Sequence, residues 1–321
     1  MSQIATGASS VVVERLVKRF GAFTAVNDVS FTVHSGEIMG FLGPNGAGKS
    51  TIIRMLCGLL RPTSGRALVA GFDVAREPEA VREHIGYMSQ KFSLYNDLTV
   101  IENLRFFGGM YGVEGRAFAT RSAWALEMAG LLGRESTLTA ELASGWKQRL
   151  ALGCAVLHRP PVLFLDEPTS GVDPLARRAF WELIQQMAAS GVTVFVSTHY
   201  MDEAEYCHRL ALIDRGQLVG LGAPAELKTH ALRGELLDLD CEPLGLAIEV
   251  IREAPGVLDA AVFGSTLHVV VADGNAALQE LPPYLRARGV TLSRIRRIYP
   301  SLEDVFVQQL SGRLAEKRAT P

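Results

Sequence analysis

The strongest constraint on the fold of this chain is the run Phe41-Leu42-Gly43-Pro44-Asn45-Gly46-Ala47-Gly48-Lys49-Ser50-Thr51. An apolar segment, Ile38 to Leu42, leads into it and a helical pattern, Ile52 to Leu60, leads out. That context reads as strand, glycine loop, helix. Gly43, Gly48, Lys49 and Ser50 fit the G-x-x-x-x-G-K-[ST] phosphate loop. Glycines let the backbone curl with its N–H groups pointing inward, and the following helix adds its positive N-terminal end. Lys49 can reach the β- and γ-phosphates of a nucleotide, and the Ser50 hydroxyl is placed to ligate Mg²⁺. An ordinary glycine turn before a helix is the competing explanation, and the length of the pattern in this context argues against it.

The 321 residues suggest two domains, each large enough to bury a core. A net charge of −2 gives no footing for non-specific nucleic-acid binding, so no nucleic-acid partner is expected. No apolar stretch reaches the ~18 residues of a membrane helix. Met1 to Ser10 has neither a basic segment nor an apolar core, and a disordered tail is expected over 1–10, with another over 312–321. Cys57, Cys154, Cys207 and Cys241 form no C-x-x-C pair and read as buried reduced thiols.

Along the chain, Val11 to Phe20 reads as an edge strand, and Val29 to Val33 as a second strand. Further strands are expected at Arg66–Ala70 and Ile85–Gln90, with helices at Thr99–Gly112, Phe118–Leu132 and Lys147–His158. Val162–Leu165 and Thr193–Ser197 are short apolar strands of the buried parallel type, separated by an amphipathic helix over Leu175–Ala189. A hairpin turning at Arg215-Gly216 closes an α/β domain over 11–230 with a largely parallel sheet and a helical subdomain near 91–158. Residues 235–311 read β-α-β-β-α-β, which suggests a small α+β, ferredoxin-like domain ending in a helix over Ser301–Leu310. Its Arg294, Arg296 and Arg297 read as a solvated strand face.

A phosphate loop alone leaves many nucleotide machines open. Val162-Leu163-Phe164-Leu165-Asp166-Glu167-Pro168 narrows them. An apolar strand ending in Asp166 sets a carboxylate beside the loop, where it can hold Mg²⁺ through water. Glu167 is then positioned to orient or deprotonate an attacking water.

With these motifs in this order, residues 11–225 resemble the ATP-binding cassette (ABC) ATPases, the motor subunits of ABC transporters. The resemblance implies a P-loop cassette that binds ATP and Mg²⁺. It assigns Gln90, in Tyr87-Met88-Ser89-Gln90, as the glutamine that senses metal and water and faces a transmembrane partner. Asp173, in Ser170-Gly171-Val172-Asp173, would cross a dimer interface. His199, in Val196-Ser197-Thr198-His199, would contact the γ-phosphate. Phe20 would stack on adenine, with Phe23 as the alternative and a core or surface aromatic as the rival reading. One motif departs: where the family reads Leu-Ser-Gly-Gly-Gln followed by Gln-Arg, this chain has Leu142-Ala143-Ser144-Gly145-Trp146-Lys147-Gln148-Arg149. In the family this segment opens a helix that binds the nucleotide held by the opposite subunit, so Ser144 and Gly145 are candidate contacts. Helix-end N–H groups can survive such substitutions because they do not depend on side chains.

The resemblance further implies two cassettes enclosing two nucleotides, and a separate permease seated against the aromatic-rich stretch Phe92–Gly112. A peripheral place on the cytoplasmic face of the inner membrane follows from it. Ile298-Tyr299-Pro300-Ser301-Leu302-Glu303-Asp304-Val305-Phe306 resembles the extension of cassettes that serve bacterial exporters of drugs, ions or lipids. The alternatives are a soluble cassette acting on ribosomes or DNA, and a weakly catalytic regulatory cassette.

Overall fold

The structure, a computed structural model, describes residues 9–90, 94–230 and 234–308. Two compact units divide between Leu221 and Gly222.

The first unit contains β1 (Ser9–Phe20), β2 (Phe23–His34), β3 (Ile38–Leu42), α1 (Lys49–Leu56), β4 (Ser64–Val69), β5 (Phe72–Asp73), α2 (Pro78–Glu83) and β6 (Ile85–Met88). There follow α3 (Val100–Met110), α4 (Gly115–Ala129), α5 (Ser144–Val156), β7 (Val162–Asp166), α6 (Pro174–Ala189), β8 (Thr193–Thr198), α7 (Met201–Ala204), β9 (Arg209–Asp214) and β10 (Gln217–Gly222). Where one largely parallel sheet is expected, the strands separate into two. A six-stranded sheet runs β10-β9-β3-β8-β7-β6, and a four-stranded one runs β2-β1-β4-β5. β1 is therefore not an edge strand. It pairs antiparallel with β2 on one side and β4 on the other, as its alternating buried valines allow. Ser9 and Ser10 belong to this strand, and the Ser10 hydroxyl accepts a hydrogen bond from Thr193 at 2.9 Å, so the expected tail does not extend to residue 10.

The two sheets share a core. α1 turns Ile52, Ile53, Met55 and Leu56 into it, each such side chain contributing about 1.5–3 kcal/mol by burial. Phe31 of β2 meets Phe41 of β3 edge-on, and Phe195 of β8 stacks on Phe164 of β7. β3, β7 and β8 are buried along their whole length, which is why they read as continuous apolar runs.

The parallel registers decide where chemistry can happen. Leu42 lies opposite Thr198, Asp166 opposite Ser197, and Met88 opposite Leu165. The carboxyl ends of β3, β6, β7 and β8 thus emerge along one edge, where open α/β sheets bind ligands.

The second unit holds α8 (Pro224–His230), β11 (Glu235–Glu242), α9 (Leu244–Arg252), β12 (Val257–Phe263), β13 (Thr266–Val271), α10 (Gly274–Arg286) and β14 (Thr291–Ile298). Its sheet order, β12-β13-β11-β14, is the ferredoxin-like arrangement expected from the β-α-β-β-α-β pattern. Leu237, Leu239, Val269 and Val271 pack against Ile251 of α9 and Leu281 and Leu285 of α10. Residues 302–308 are helical; Leu310 and the segment 312–321 lie outside the described residues. Ser301 and Asp304 cap that helix reciprocally, and His268 Nδ1 of β13 lies 2.5 Å from Asp304 Oδ1. The arginines of β14 lie exposed on the strand face, as expected, and they also make ion pairs. Arg296 reaches buried Asp238 at 2.9 Å, and Arg297 reaches Glu235 at 2.7 Å.

Candidate active site

The phosphate loop starts where β3 ends, and two of its glycines are required by their surroundings. A Cβ on Gly43 would overlap the Ile213 carbonyl of β9. Gly48 adopts φ +108°, and a Cβ there would stand 2.7 Å from the Ala25 carbonyl. α1 begins at Lys49, three residues earlier than its apolar pattern suggests, so Ser50 and Thr51 stand in its first turn. Lys49 is 4% exposed. Its Nζ donates to the carbonyls of Gly43 at 2.7 Å and Pro44 at 3.2 Å. Burial holds this lysine below its ordinary pKa, while the charges of Glu167 and Asp166 pull the other way.

Asp166, the last residue of β7, accepts hydrogen bonds from Ser50 Oγ at 3.0 Å and from Ser197 Oγ at 2.6 Å. Ser50 and Asp166 are hard oxygen donors side by side. Mg²⁺ takes one or two such groups from a protein when phosphates and water supply the rest, so the pair fits it.

Glu167 is where the other groups meet. Gln90 Nε2 donates to its Oε2 at 3.0 Å, His199 Nδ1 lies 3.3 Å from the same oxygen, and Lys49 Nζ lies 3.8 Å from Oε1. The Glu167 backbone takes φ +48°, a left-handed conformation costly for a residue with a Cβ. Ser197 helps hold it there, accepting from the Glu167 N–H at 2.9 Å. Four sequence-distant candidates, Lys49, Gln90, Glu167 and His199, are therefore brought together. Gln90, expected on the metal side, bonds to Glu167.

The first turn of α5 accounts for the altered signature. The helix starts at Ser144, with Ala143 in extended conformation at the N-cap. The serine hydroxyl is thus one position inside the helix and makes no cap, because capping needs the flanking residue. Gly145 is fixed by packing: a Cβ there would stand 2.8 Å from the Ala176 Cβ of α6. Trp146 lies against Gly130, the left-handed cap of α4, with the guanidinium of Arg134 5.3 Å and that of Arg149 5.1 Å from its ring centroid. Asp173 caps α6, accepting from Ala176 N–H at 2.9 Å ahead of Pro174.

A family model described as "ABC transporter" matches residues 26–170. LnrL of Bacillus subtilis, a linearmycin resistance ATP-binding protein, is 34% identical over 304 residues, covering 94% of this chain and 97% of that one. The chain belongs to the ABC transporter ATP-binding proteins. It is accordingly an ABC-type ATPase. YbhF of Escherichia coli K12, a probable multidrug ABC transporter ATP-binding protein, is 53% identical over 232 residues. That match covers 72% of this chain and spans 40% of the relative's own length. A solved ATP-binding subunit of an ABC transporter superposes with a TM-score of 0.62 at 33% identity, covering 68% of this chain and 92% of its own.

The ABC cassette places the remaining candidates less tightly. Phe20 and Phe23 face each other across the β1–β2 turn, 50% and 65% exposed, and Lys18 Nζ lies 5.0 Å from the Phe20 ring centroid. Phe92 lies outside the described residues. From Tyr87 to Tyr111, an indentation of about 180 Å³ opens beside Leu94, Phe107, Met110 and Cys154. Among the described residues no helix is long and apolar enough to cross a membrane. Two supports went unread in the sequence: Ser197, which bridges Asp166 and Glu167 at the end of β7, and Gly216, whose N–H donates to the Ala47 carbonyl of the loop at 2.8 Å. A polar residue ending a buried strand was the only sign of the first. The second needed the position of β9 beside β3.

Proposed function

We propose that this chain is the ATP-driven motor of an export-type ABC system and works on a separate transmembrane permease. The loop from Gly43 to Thr51 cradles the β- and γ-phosphates, and Lys49 turns from its own carbonyls to the phosphate oxygens. Ser50 and Asp166 would hold Mg²⁺, which supplies charge stabilisation to the phosphates when bound. Glu167 orients and deprotonates the attacking water, Gln90 fixes the carboxylate, and His199 reports on the γ-phosphate. Phe20, or Phe23, stacks on adenine. The N–H groups of Ser144 and Gly145 engage the nucleotide of a second cassette, and Asp173 crosses to it, so two chains enclose two Mg·ATP. The permease docks in the indentation beside α3, and the protein then sits on the cytoplasmic face of the membrane. Relatives named for linearmycin resistance, multidrug transport and Nod factor export differ in cargo, which leaves drug, ion or lipid export as the class.

The convergence of Lys49, Gln90 and His199 on one carboxylate, beside the Ser50–Asp166 pair, carries this reading. Steady-state turnover with parallel nucleotide titration checks it. Glu167→Gln is expected to lower kcat by about a hundredfold or more while ATP affinity stays within about twofold, as removal of a general base requires. Unchanged turnover in that variant would refute the assignment.

A further inference from the structure

We propose that Glu203 is a positioning residue for ATP hydrolysis: one buried carboxylate that ties the segment carrying Glu167 to the segment carrying His199. The inference rests on the roles given above to those two residues.

Glu203 lies on α7, four residues after His199, and is fully buried. Its Oε1 accepts a hydrogen bond from the Thr169 hydroxyl, two residues beyond Glu167. Its Oε2 accepts from the Thr198 hydroxyl at 2.6 Å, immediately before His199. Arg177 of α6 brings Nε to 3.3 Å from Oε1 and sets its guanidinium 4.1 Å from the centroid of Tyr200, whose ring lies 4.1 Å from that of His199. Thr198 Oγ1 also accepts from the Tyr200 N–H at 3.0 Å. The two carboxylate oxygens are therefore divided between the exits of β7 and β8.

A buried carboxylate is costly unless its oxygens are fully engaged. Here both are engaged, and on the two segments whose relative placement sets the Glu167–His199 separation. The left-handed backbone at Glu167 is then held from both sides, by Ser197 before it and by the Thr169 tie after it. Ties of this kind fix the geometry of groups that touch substrate without touching it themselves.

The test compares turnover, ATP affinity and thermal unfolding of the full chain in three variants: Glu203→Ala, Glu203→Gln, and the double change Thr169→Val with Thr198→Val. Glu203→Ala is expected to lower kcat by about ten- to a hundredfold with KM for ATP within about twofold, since misplacement of catalytic groups acts on the chemical step. Glu203→Gln, which can still engage one hydroxyl, should recover most of that loss, and the double variant should match Glu203→Ala. Should Glu203→Ala fail to fold, the near-isosteric double variant decides. A folded Glu203→Ala or double variant with wild-type kcat overturns the proposal, as does a loss confined to KM. Glu167→Gln run alongside separates the two levels. If it turns over normally, the underlying assignment fails; if it is inactive while the Glu203 variants are normal, this inference alone fails.

Discussion

At the end of β7, Asp166 and Glu167 present their own carboxylates to Ser50, Lys49, Gln90 and His199. At the start of α5, Ser144 and Gly145 have backbone N–H groups to offer, and the side chains there serve other ends. Gly145 lets α5 approach α6, and Trp146 braces the first turn of α5 against the cap of α4. The contrast explains which motif kept its wording. A carboxylate that must hold metal or accept a proton has no substitute of the same reach and charge. A helix terminus keeps its partial charge whatever its side chains, provided the helix starts in the right place. Ala143, Ser144 and Trp146 are therefore compatible with a working signature, and Gly145 is the position the fold cannot vary.

The sharpest way to break this contrast is at Lys49. Lys49→Ala should weaken Mg·ATP binding by about 1.5–3 kcal/mol, the range for hydrogen bonds to charged groups, or roughly ten- to a hundredfold in Kd by equilibrium titration. Next comes Gly145→Ala. The new methyl has nowhere to go beside Ala176, and overpacking of this kind costs about 1–3 kcal/mol. Nucleotide titration should be unchanged in that variant while ATP-dependent association is lost, because the phosphate loop is untouched. Loss of nucleotide binding instead would mean that α5 also supports the loop of its own chain.

At the other end of α5 the relevant variable is pH. His158 follows that helix, stacks on Tyr111 with ring centroids 3.7 Å apart, and sets Nε2 2.9 Å from the Ile85 carbonyl. Burial, with help from the charges of Arg121 and His84, lowers its pKa to about 4, against an ordinary value of 6.5. The folded protein thus binds this proton less readily than the unfolded chain. Its contribution to stability is complete above pH 6.5 and is lost as pH falls toward 4. Denaturant midpoints measured across that window should fall with pH, and His158→Phe should flatten the slope. The smallest effect is expected from Ala143→Ser, which restores a capping hydroxyl. It should add about 1 kcal/mol to stability, raise Tm by about 2–4 °C, and leave turnover within about twofold. A large gain in turnover would show that the hydroxyl, not the helix end, does the work.

The chemistry at the two acids was legible because each motif is contiguous and ends an apolar strand whose burial the residues themselves announce. The order of the strands was not legible. That β3 lies beside β9 brings Gly216 under the loop, the pairing of β7 with β8 brings Ser197 between the two acids, and no local pattern encodes either meeting. β1 was misread as an edge because its alternation fits any strand with one buried face; its two antiparallel neighbours come from separate parts of the chain. Arg294, Arg296 and Arg297 are exposed as the sequence suggests, but their ion pairs were not legible, because Asp238 and Glu235 are one strand away in space and more than fifty residues away in sequence. Glu203 carried no motif at all, and only the burial of its side chain between two strand exits gives it meaning.

In the proposed cycle an intact acid pair and a variant signature together close around ATP. Light scattering on purified Glu167→Gln chain, with and without Mg·ATP, tests it most directly. A nucleotide-dependent shift from monomer to dimer is expected, because in the proposed arrangement the helix end at Ser144 and Gly145 would reach a neighbouring chain's nucleotide and hydrolysis would no longer reopen the pair. A chain that binds Mg·ATP fully and stays monomeric at every concentration would contradict it.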